Sequence, residues 1–383
     1  MRIAFFTDSF LPYLSGVSVS LGNFSKALVK RRHELLVFAP HPGKENDSKR
    51  DKRIKVEWLP SLKTFYPDFR IGAPTPKSFI KLKRFNPDVI HVHTPLLIGA
   101  QGVLGAKLLN KPFVFSFHTY YMDPESFKVF GIKKRIKRLE KTLWDFTKKF
   151  TKNAEVIIAP TDFVANDLKK RKFLNKIEIL PTGIEIERFI RDERRKEELK
   201  KELDLHGKII LAVGRLSHEK GWDFLLESFK FLYERGKRYT LVFIGGGPAE
   251  EHLRLLARLY RVEHRVRFLG EIAYDELIDR SYYTIGDVFA MPSDFETQGL
   301  VTLEAMGFGL PIVALKSKGT VDLVDDYGIL VRKGEKEFAR TLERVLTSSE
   351  LRRELSKKSL KRARDFSLDK LTNRLEKVYK SVL

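Results

Sequence analysis

Short apolar runs recur along the first half of the chain, at residues 3–6, 35–39, 56–59, 89–92, 113–117 and 156–159. They are mostly continuous rather than alternating, as in strands of a parallel sheet covered on both faces. Between them, apolar positions return at helical spacing over about residues 17–30, 78–85, 98–109 and 132–150. The pattern restarts after Pro181-Thr182-Gly183, with strands expected at 209–213, 241–244, 266–269, 288–291, 312–315 and 329–331. Helical patterns follow at about 222–234, 250–259, 299–307 and 338–346. This alternation predicts an α/β protein of two Rossmann-like, doubly wound domains, residues 1–190 and 191–365. A last helix at 368–382, in a segment 366–383, is expected to cross back onto the first domain. Two such domains would face a central cleft at the carboxyl ends of their sheets, where open α/β folds bind ligands.

Composition agrees with that plan. The 383 residues are too many for one ordinary core, and 43% hydrophobic with 32% charged residues describes a globular protein. The absence of cysteine excludes disulfides and thiolate chemistry. The start, Met1-Arg2-Ile3-Ala4-Phe5-Phe6-Thr7-Asp8, reads as a buried strand and lacks the parts of a signal peptide. The longest stretch free of Lys, Arg, Asp and Glu, residues 89–106, carries two histidines, a proline, a glutamine and three glycines, which argues against a membrane span. A cytoplasmic protein with peripheral membrane contact is expected. The net charge of +22 is uneven: residues 1–190 hold 35 Lys and Arg against 18 Asp and Glu, or +17, and the remainder 37 against 32, or +5. A basic first half implies an anionic partner, nucleic acid or an anionic membrane.

The strongest chemical signal is Phe295-Glu296-Thr297-Gln298-Gly299-Leu300-Val301-Thr302-Leu303-Glu304. It lies between two expected strands and starts a helix. A helix N-terminus after a strand offers free N–H groups and the positive end of the dipole to a phosphate. Carboxylates on either side accept hydrogen bonds from hydroxyls. A ligand with phosphates in the middle and sugars at both ends is a nucleotide sugar. A second loop, Gly214-Arg215-Leu216-Ser217-His218-Glu219-Lys220-Gly221, puts two cations at a strand end, which suits a diphosphate. Two solvated surface cations are the bland alternative; the neighbouring carboxylate segment favours phosphate. These cations would stabilise a nucleoside-diphosphate leaving group without a metal. No Asp-X-Asp stretch or cluster with metal-ligand spacing appears, so no cofactor and no metal is expected.

Together, Gly214-Arg215-Leu216…Lys220-Gly221 and Glu296-x7-Glu304 resemble the retaining GT-B glycosyltransferases of family four. The resemblance extends to Phe10-Leu11-Pro12-Tyr13-Leu14-Ser15-Gly16-Val17 as the first βα loop and to Leu180-Pro181-Thr182-Gly183-Ile184 with Phe189 as the interdomain linker. It implies that Arg215 and Lys220 hold the donor diphosphate and Glu296 the donor-sugar hydroxyls, with backbone amides of Gln298, Gly299 and Leu300 between. Glu304 would hold the ribose, and Gly245 and Ile272 would lie near the base. Gly16 would let its loop approach the diphosphate; the family usually has two glycines there, and this chain has Ser15-Gly16. His118 resembles the family histidine near the donor sugar, with a positioning and charge-stabilising role. Catalysis would thus fall to His118, Glu296, Arg215 and Lys220. The implied chemistry is front-face transfer with retention, the leaving phosphate assisting deprotonation. Neighbouring His91 and His93 read as structural or cleft-lining.

Residues 128–152 carry ten basic and two acidic side chains, Glu140 and Asp145, on a helical apolar stripe with Trp144 beside it. Packing on the domain's own sheet explains the stripe; the basic excess suits an anionic membrane. Lys30-Arg31-Arg32, residues 49–53 and Lys81-Leu82-Lys83-Arg84 would extend that patch. No helix-turn-helix, RNP-like or zinc pattern supports nucleic acid. Glu296-Thr297-Gln298-Gly299, His93-Thr94-Pro95-Leu96 and Phe117-His118-Thr119-Tyr120-Tyr121-Met122-Asp123 are similar to the diacylglycerol glucosyltransferases. That subgroup implies UDP-glucose as donor and a lipid acceptor, with Tyr120 and Asp123 on the acceptor side. A soluble sugar, sugar-phosphate or phosphatidylinositol-type acceptor is the alternative.

Overall fold

A computed structural model describes residues 1–13, 15–43, 51–64, 70–118, 137–294 and 296–383. The chain divides into two compact units, Met1–Ile184 with Leu368–Leu383, and Glu185–Ser367. The first division precedes residue 190 because the intervening segment is anchored in the second unit. Arg188 pairs there with Glu185, Asp275 and Asp279, and Phe189 packs against Phe308 at 5.0 Å between ring centroids.

In the first unit seven parallel strands form the sheet, in the order β3-β2-β1-β6-β7-β8-β9. They are β1 (Arg2–Phe6), β2 (Glu34–Pro40), β3 (Lys55–Leu59), β6 (Val89–Val92), β7 (Phe113–Ser116), β8 (Val156–Ala159) and β9 (Lys176–Ile179). A small antiparallel pair, β4 (Ser61–Lys63) with β5 (Arg70–Gly72), stands apart. The central strands β1, β6, β7 and β8 are buried almost throughout, as both-face coverage requires. The edge strand β9 is only half covered, and its alternating Lys-Ile-Glu-Ile hid it from the apolar pattern. Helices Gly16–Lys30 and Pro76–Phe85 each start on a capping box, Ser15 with Ser18 and Thr75 with Ser78. The final helix, Leu368–Lys380, belongs to this unit. Its Asp369 and Glu376 pair with Arg31, and Glu376 also bonds His33.

The second unit holds a six-stranded parallel sheet, β12-β11-β10-β13-β14-β15. Its strands are β10 (Ile209–Val213), β11 (Thr240–Ile244), β12 (Val266–Phe268), β13 (Val288–Met291), β14 (Ile312–Leu315) and β15 (Ile329–Val331). Trp222, Phe243, Leu225, Phe229 and Phe338 sit in its core between sheet and helices. Helices Glu193–Glu202 and Ser349–Asp365 escaped the sequence pattern. So much of each is charged that only Lys196 and Leu199 in one, and Leu355, Ser359 and Ala363 in the other, are buried. Strand order reverses between β1 and β6 in one sheet and between β10 and β13 in the other. Such reversals open a crevice at the carboxyl ends of the strands.

Candidate active site

In the second unit the loops that leave β10 and β13 meet at the reversal. Gly221 has φ of 73°, and a Cβ there would lie 2.3 Å from the Pro292 carbonyl oxygen. Only glycine lets the β10 loop come so close to the β13 loop. A Cβ on Gly319 would lie 1.8 Å from the Glu296 carbonyl oxygen, so the loop after β14 presses on the same place. The Glu296 N–H donates to the Lys318 carbonyl at 3.2 Å. These contacts bring Lys220 Nζ to Glu296 Oε1 at 2.8 Å. Burial works against the Lys220 charge, but Glu296, then Glu219, outweigh it and hold its pKa above the ordinary value. Lys220 therefore stays cationic. Arg215 lies in the same loop, its carbonyl fixed by the Trp222 indole N–H at 2.9 Å.

The helix Leu300–Gly307 starts at Gly299, φ 79°, with no side-chain cap and no acid in its first turn. The N–H groups of a first turn have no acceptor within the helix, and the dipole adds to their pull on an anion. The Thr302 hydroxyl at this end is buried without a hydrogen bond among the described residues. Glu296 and Gln298 are each 8% exposed, and Glu304 is 2% exposed. Tyr283 donates its hydroxyl to Glu304 Oε2 at 2.5 Å. Burial raises Glu304 from 4.5 to about 7, against hydrogen bonds from Tyr283 and Tyr274 that lower it. To one side, the Gly245 N–H donates to the Gly270 carbonyl at 2.8 Å, which brings Gly245 close to Gly270 and so toward Ile272. The set joins one loop bearing two cations, a bare helix N-terminus and two buried carboxylates. Among the described residues no group of three or more His, Asp and Glu could hold a metal ion.

In the first unit His91 lies in β6, His93 just after it and His118 just after β7. His93 Nδ1 and His118 Nε2 are 2.9 Å apart. His91 bonds Tyr379 of the final helix at 2.7 Å through Nδ1 and Ser116 at 2.8 Å through Nε2. Burial depresses all three histidines, His118 to about 4, so they are neutral. Nearby, Asp8 accepts from Thr94 Oγ1, and its Oδ1 is buried without a partner among the described residues. Ser15 is the cap of the helix Gly16–Lys30, which explains a serine where the family favours glycine. A Cβ on Gly16 would meet nothing within 4 Å among the described residues, so packing does not demand glycine there. Tyr120 and Asp123 lie outside the described residues, as does the start of the basic segment at 128–136. Trp144 lies beside the apolar stripe, on the face expected to pack on the domain's own sheet. It is buried, stacked on Phe117 and covered by the Arg171 guanidinium, because the helix Lys137–Thr151 turns it toward its own sheet.

Comparison with known proteins fits these observations. Residues 14–188 match the model of "Glycosyltransferase Family 4" and residues 193–362 that of "Glycosyl transferases group 1". The D-inositol 3-phosphate glycosyltransferase of Corynebacterium diphtheriae is 31% identical over 79% of this chain and 72% of its own length. The chain belongs to the family four glycosyltransferases. It is an enzyme of the GT-B fold. The alpha-monoglucosyldiacylglycerol synthase of Acholeplasma laidlawii is 28% identical over 93% of this glycosyltransferase and 91% of that protein. Among solved structures, Anabaena HepE in complex with UDP and glucose matches the fold over 100% of both chains, with a TM-score of 0.79 at 19% identity.

Sequence reasoning missed Tyr283 and Tyr274, the partners of Glu304, and Tyr379, the partner of His91. A buried tyrosine must place its hydroxyl on an acceptor. That signal was available for Tyr283, which directly precedes Thr284-Ile285 and an apolar strand. No pattern in the sequence links Tyr379 to a histidine almost at the other end of the chain.

Proposed function

We propose that this glycosyltransferase moves a hexose, glucose from UDP-glucose, to a hydroxyl of a membrane lipid such as 1,2-diacylglycerol, with retention and without a metal. The observation that carries the donor half is the Lys220–Glu296 pair at 2.8 Å beside the uncapped helix at Gly299. In this reading Lys220 and Arg215 take the diphosphate, and Glu296, freed of part of its pairing with Lys220, accepts from the sugar hydroxyls. Backbone N–H groups of Gln298, Gly299 and Leu300 lie along sugar and phosphate, Glu304 takes the ribose, and Gly245 and Ile272 flank the base. Gly16 leaves room for a phosphate at its loop. His118 orients the donor sugar and offsets charge that develops on it. Transfer breaks the bond from C1 to the phosphate oxygen and forms one from C1 to the acceptor oxygen on the same face. The acceptor proton passes to the departing phosphate, whose negative charge the two cations stabilise.

Two observations support a lipid acceptor. The relative in Acholeplasma laidlawii is named for a diacylglycerol product. The N-terminal unit also exposes large apolar side chains among cations. Leu62 and Ile71 face out from β4 and β5, Ile80 from the helix Pro76–Phe85, and Leu97, Leu104 and Leu108 from the helix Leu97–Leu109. Lys77, Lys83, Arg84 and Lys107 stand exposed on the same two helices. Insertion of the leucines and about 1 kcal/mol per cation at an anionic surface would hold the protein peripherally at the inner face of the membrane. Among the described residues no helix is long and apolar enough to cross it. Tyr120 and Asp123 complete this reading on the acceptor side.

The second reading keeps the donor site and takes a soluble sugar-phosphate or inositol-type acceptor; the 31% identity to an inositol-phosphate enzyme favours it. Sedimentation with anionic vesicles at low and high salt separates the two. Binding at low salt that fades at high salt supports the lipid; no binding at low salt leaves the soluble acceptor.

A further inference from the structure

The histidines of the N-terminal unit form a chain whose geometry constrains His118. His93 Nδ1 and His118 Nε2 share one proton across 2.9 Å. Burial holds both rings neutral, so one nitrogen of the pair donates and the other accepts. If His93 donates, His118 carries its own proton on Nδ1. If His118 donates, its Nδ1 is a bare acceptor. With Nε2 taken by His93, Nδ1 is the ring nitrogen left to meet a ligand.

His93 cannot swing away to release this constraint. Its ring lies 3.9 Å from that of His91 and 4.7 Å from that of Phe5, centroid to centroid, and the main-chain N–H of His93 donates to the Phe6 carbonyl at 2.9 Å. His91 is itself held on both nitrogens, by Tyr379 and Ser116. The far edge of His93, Nε2, is buried without a protein partner among the described residues. It borders a cavity of about 20 Å³ lined also by Ser20 and Thr182, which admits a single water. A ring held between two neighbouring rings and bonded at one edge is restrained, and such restraint is what preorganises a neighbouring group.

We propose that His93 is a positioning residue, whose Nδ1 fixes the ring plane and the tautomer of His118 and so sets the Nδ1 that His118 presents to substrate. This rests on the reading of His118 as a reaction-centre residue. His93 itself touches no substrate and acts only through His118.

The test is a double-variant cycle on the full-length protein, with initial rates of sugar transfer and the thermal unfolding midpoint measured for each member. His93→Phe should lower kcat about 10- to 100-fold and change the donor KM less than about twofold. His118→Ala should lower kcat at least as far, and the double variant should be no slower than His118→Ala alone. His93→Asn keeps a polar atom near the place of Nδ1 and should recover part of the loss. Additive losses in the double variant, or an undiminished His93→Phe, would overturn the proposal. Nitrogen-15 spectra of the imidazoles give an independent readout: one fixed tautomer for His118 in the unaltered protein and an averaged one in His93→Phe. An averaged His118 in the unaltered protein also overturns it. Full activity of His118→Ala sinks the reading of His118 and with it the purpose of the link, while the nitrogen spectra still report whether the link exists.

Discussion

At the strand-order reversal of the C-terminal unit, opposite charges are gathered: Lys220 on Glu296, with Arg215 in the Lys220 loop and a helix N-terminus three residues after Glu296. At the reversal of the N-terminal unit most groups are uncharged: three neutral imidazoles, Ser116 and Tyr379, with a single carboxyl, Asp8, that burial raises to about 6 against bonds from Thr94, Ile98 and Gly99. The same sheet plan therefore supports two kinds of polar chemistry. Charge in a partly buried loop attracts and orients an anion, since low-dielectric surroundings strengthen every Coulomb term. A neutral hydrogen-bonding chain has no such reach; it can only orient what is already there. The charged end is suited to capture a diphosphate, and the neutral end to guide hydroxyls.

Breaking the charged end should have the largest effect. Lys220→Ala should lower kcat/KM about 10³-fold, as loss of a preorganised charge at a leaving group does. Circular dichroism should still show a folded protein, although Glu296 would lose its partner. Full activity in that variant would remove the diphosphate role. Glu296→Gln should follow, with a loss of about 10²-fold that appears in kcat more than in donor KM.

The two buried carboxyls sharpen the comparison through pH. Burial raises Asp8 from 3.8 to about 6 and Glu304 from 4.5 to about 7. Each binds its proton more tightly folded than unfolded, so the folded state holds more protons between those values. Stability should therefore fall as pH rises across each window and level off above it. Asp8→Asn should flatten the lower window and Glu304→Gln the upper, read as unfolding midpoints against pH. Only Glu304 should also alter substrate binding. An ionised carboxylate accepts from ribose hydroxyls, so donor affinity should rise as pH passes about 7 and then level off. Glu304→Gln should abolish that rise.

The smallest effect belongs to the exposed leucines. Leu104→Asp with Leu108→Asp should weaken sedimentation with anionic vesicles about tenfold and leave the unfolding midpoint unchanged, because both side chains are exposed.

The charged end was legible in the sequence because its residues sit in two short loops, where Gly214, Gly221 and Gly299 mark turns beside the charges. The buried strands of both sheets were legible for a different reason: parallel strands covered on both faces are continuous apolar runs, whereas the half-covered edge strand β9 is not. The neutral end was not legible. His91 and His93 read as structural or cleft-lining, and nothing local showed that Tyr379 and Ser116 would hold one while the other reached His118. Hydrogen-bonding chains among uncharged groups are set by packing between distant segments, and packing leaves no spacing to count. The outward turn of Leu97, Leu104 and Leu108 was hidden similarly, since an apolar helix of this composition reads as core until its neighbours are placed.

The most direct test supplies radiolabelled UDP-glucose to the purified protein with diacylglycerol-containing anionic vesicles and a chelator, and follows label into the organic phase. The account predicts a labelled monoglucosyl lipid from the unaltered protein and almost none from Lys220→Ala. Label that stays in the aqueous phase with the unaltered protein, or equal transfer by both proteins, would contradict it.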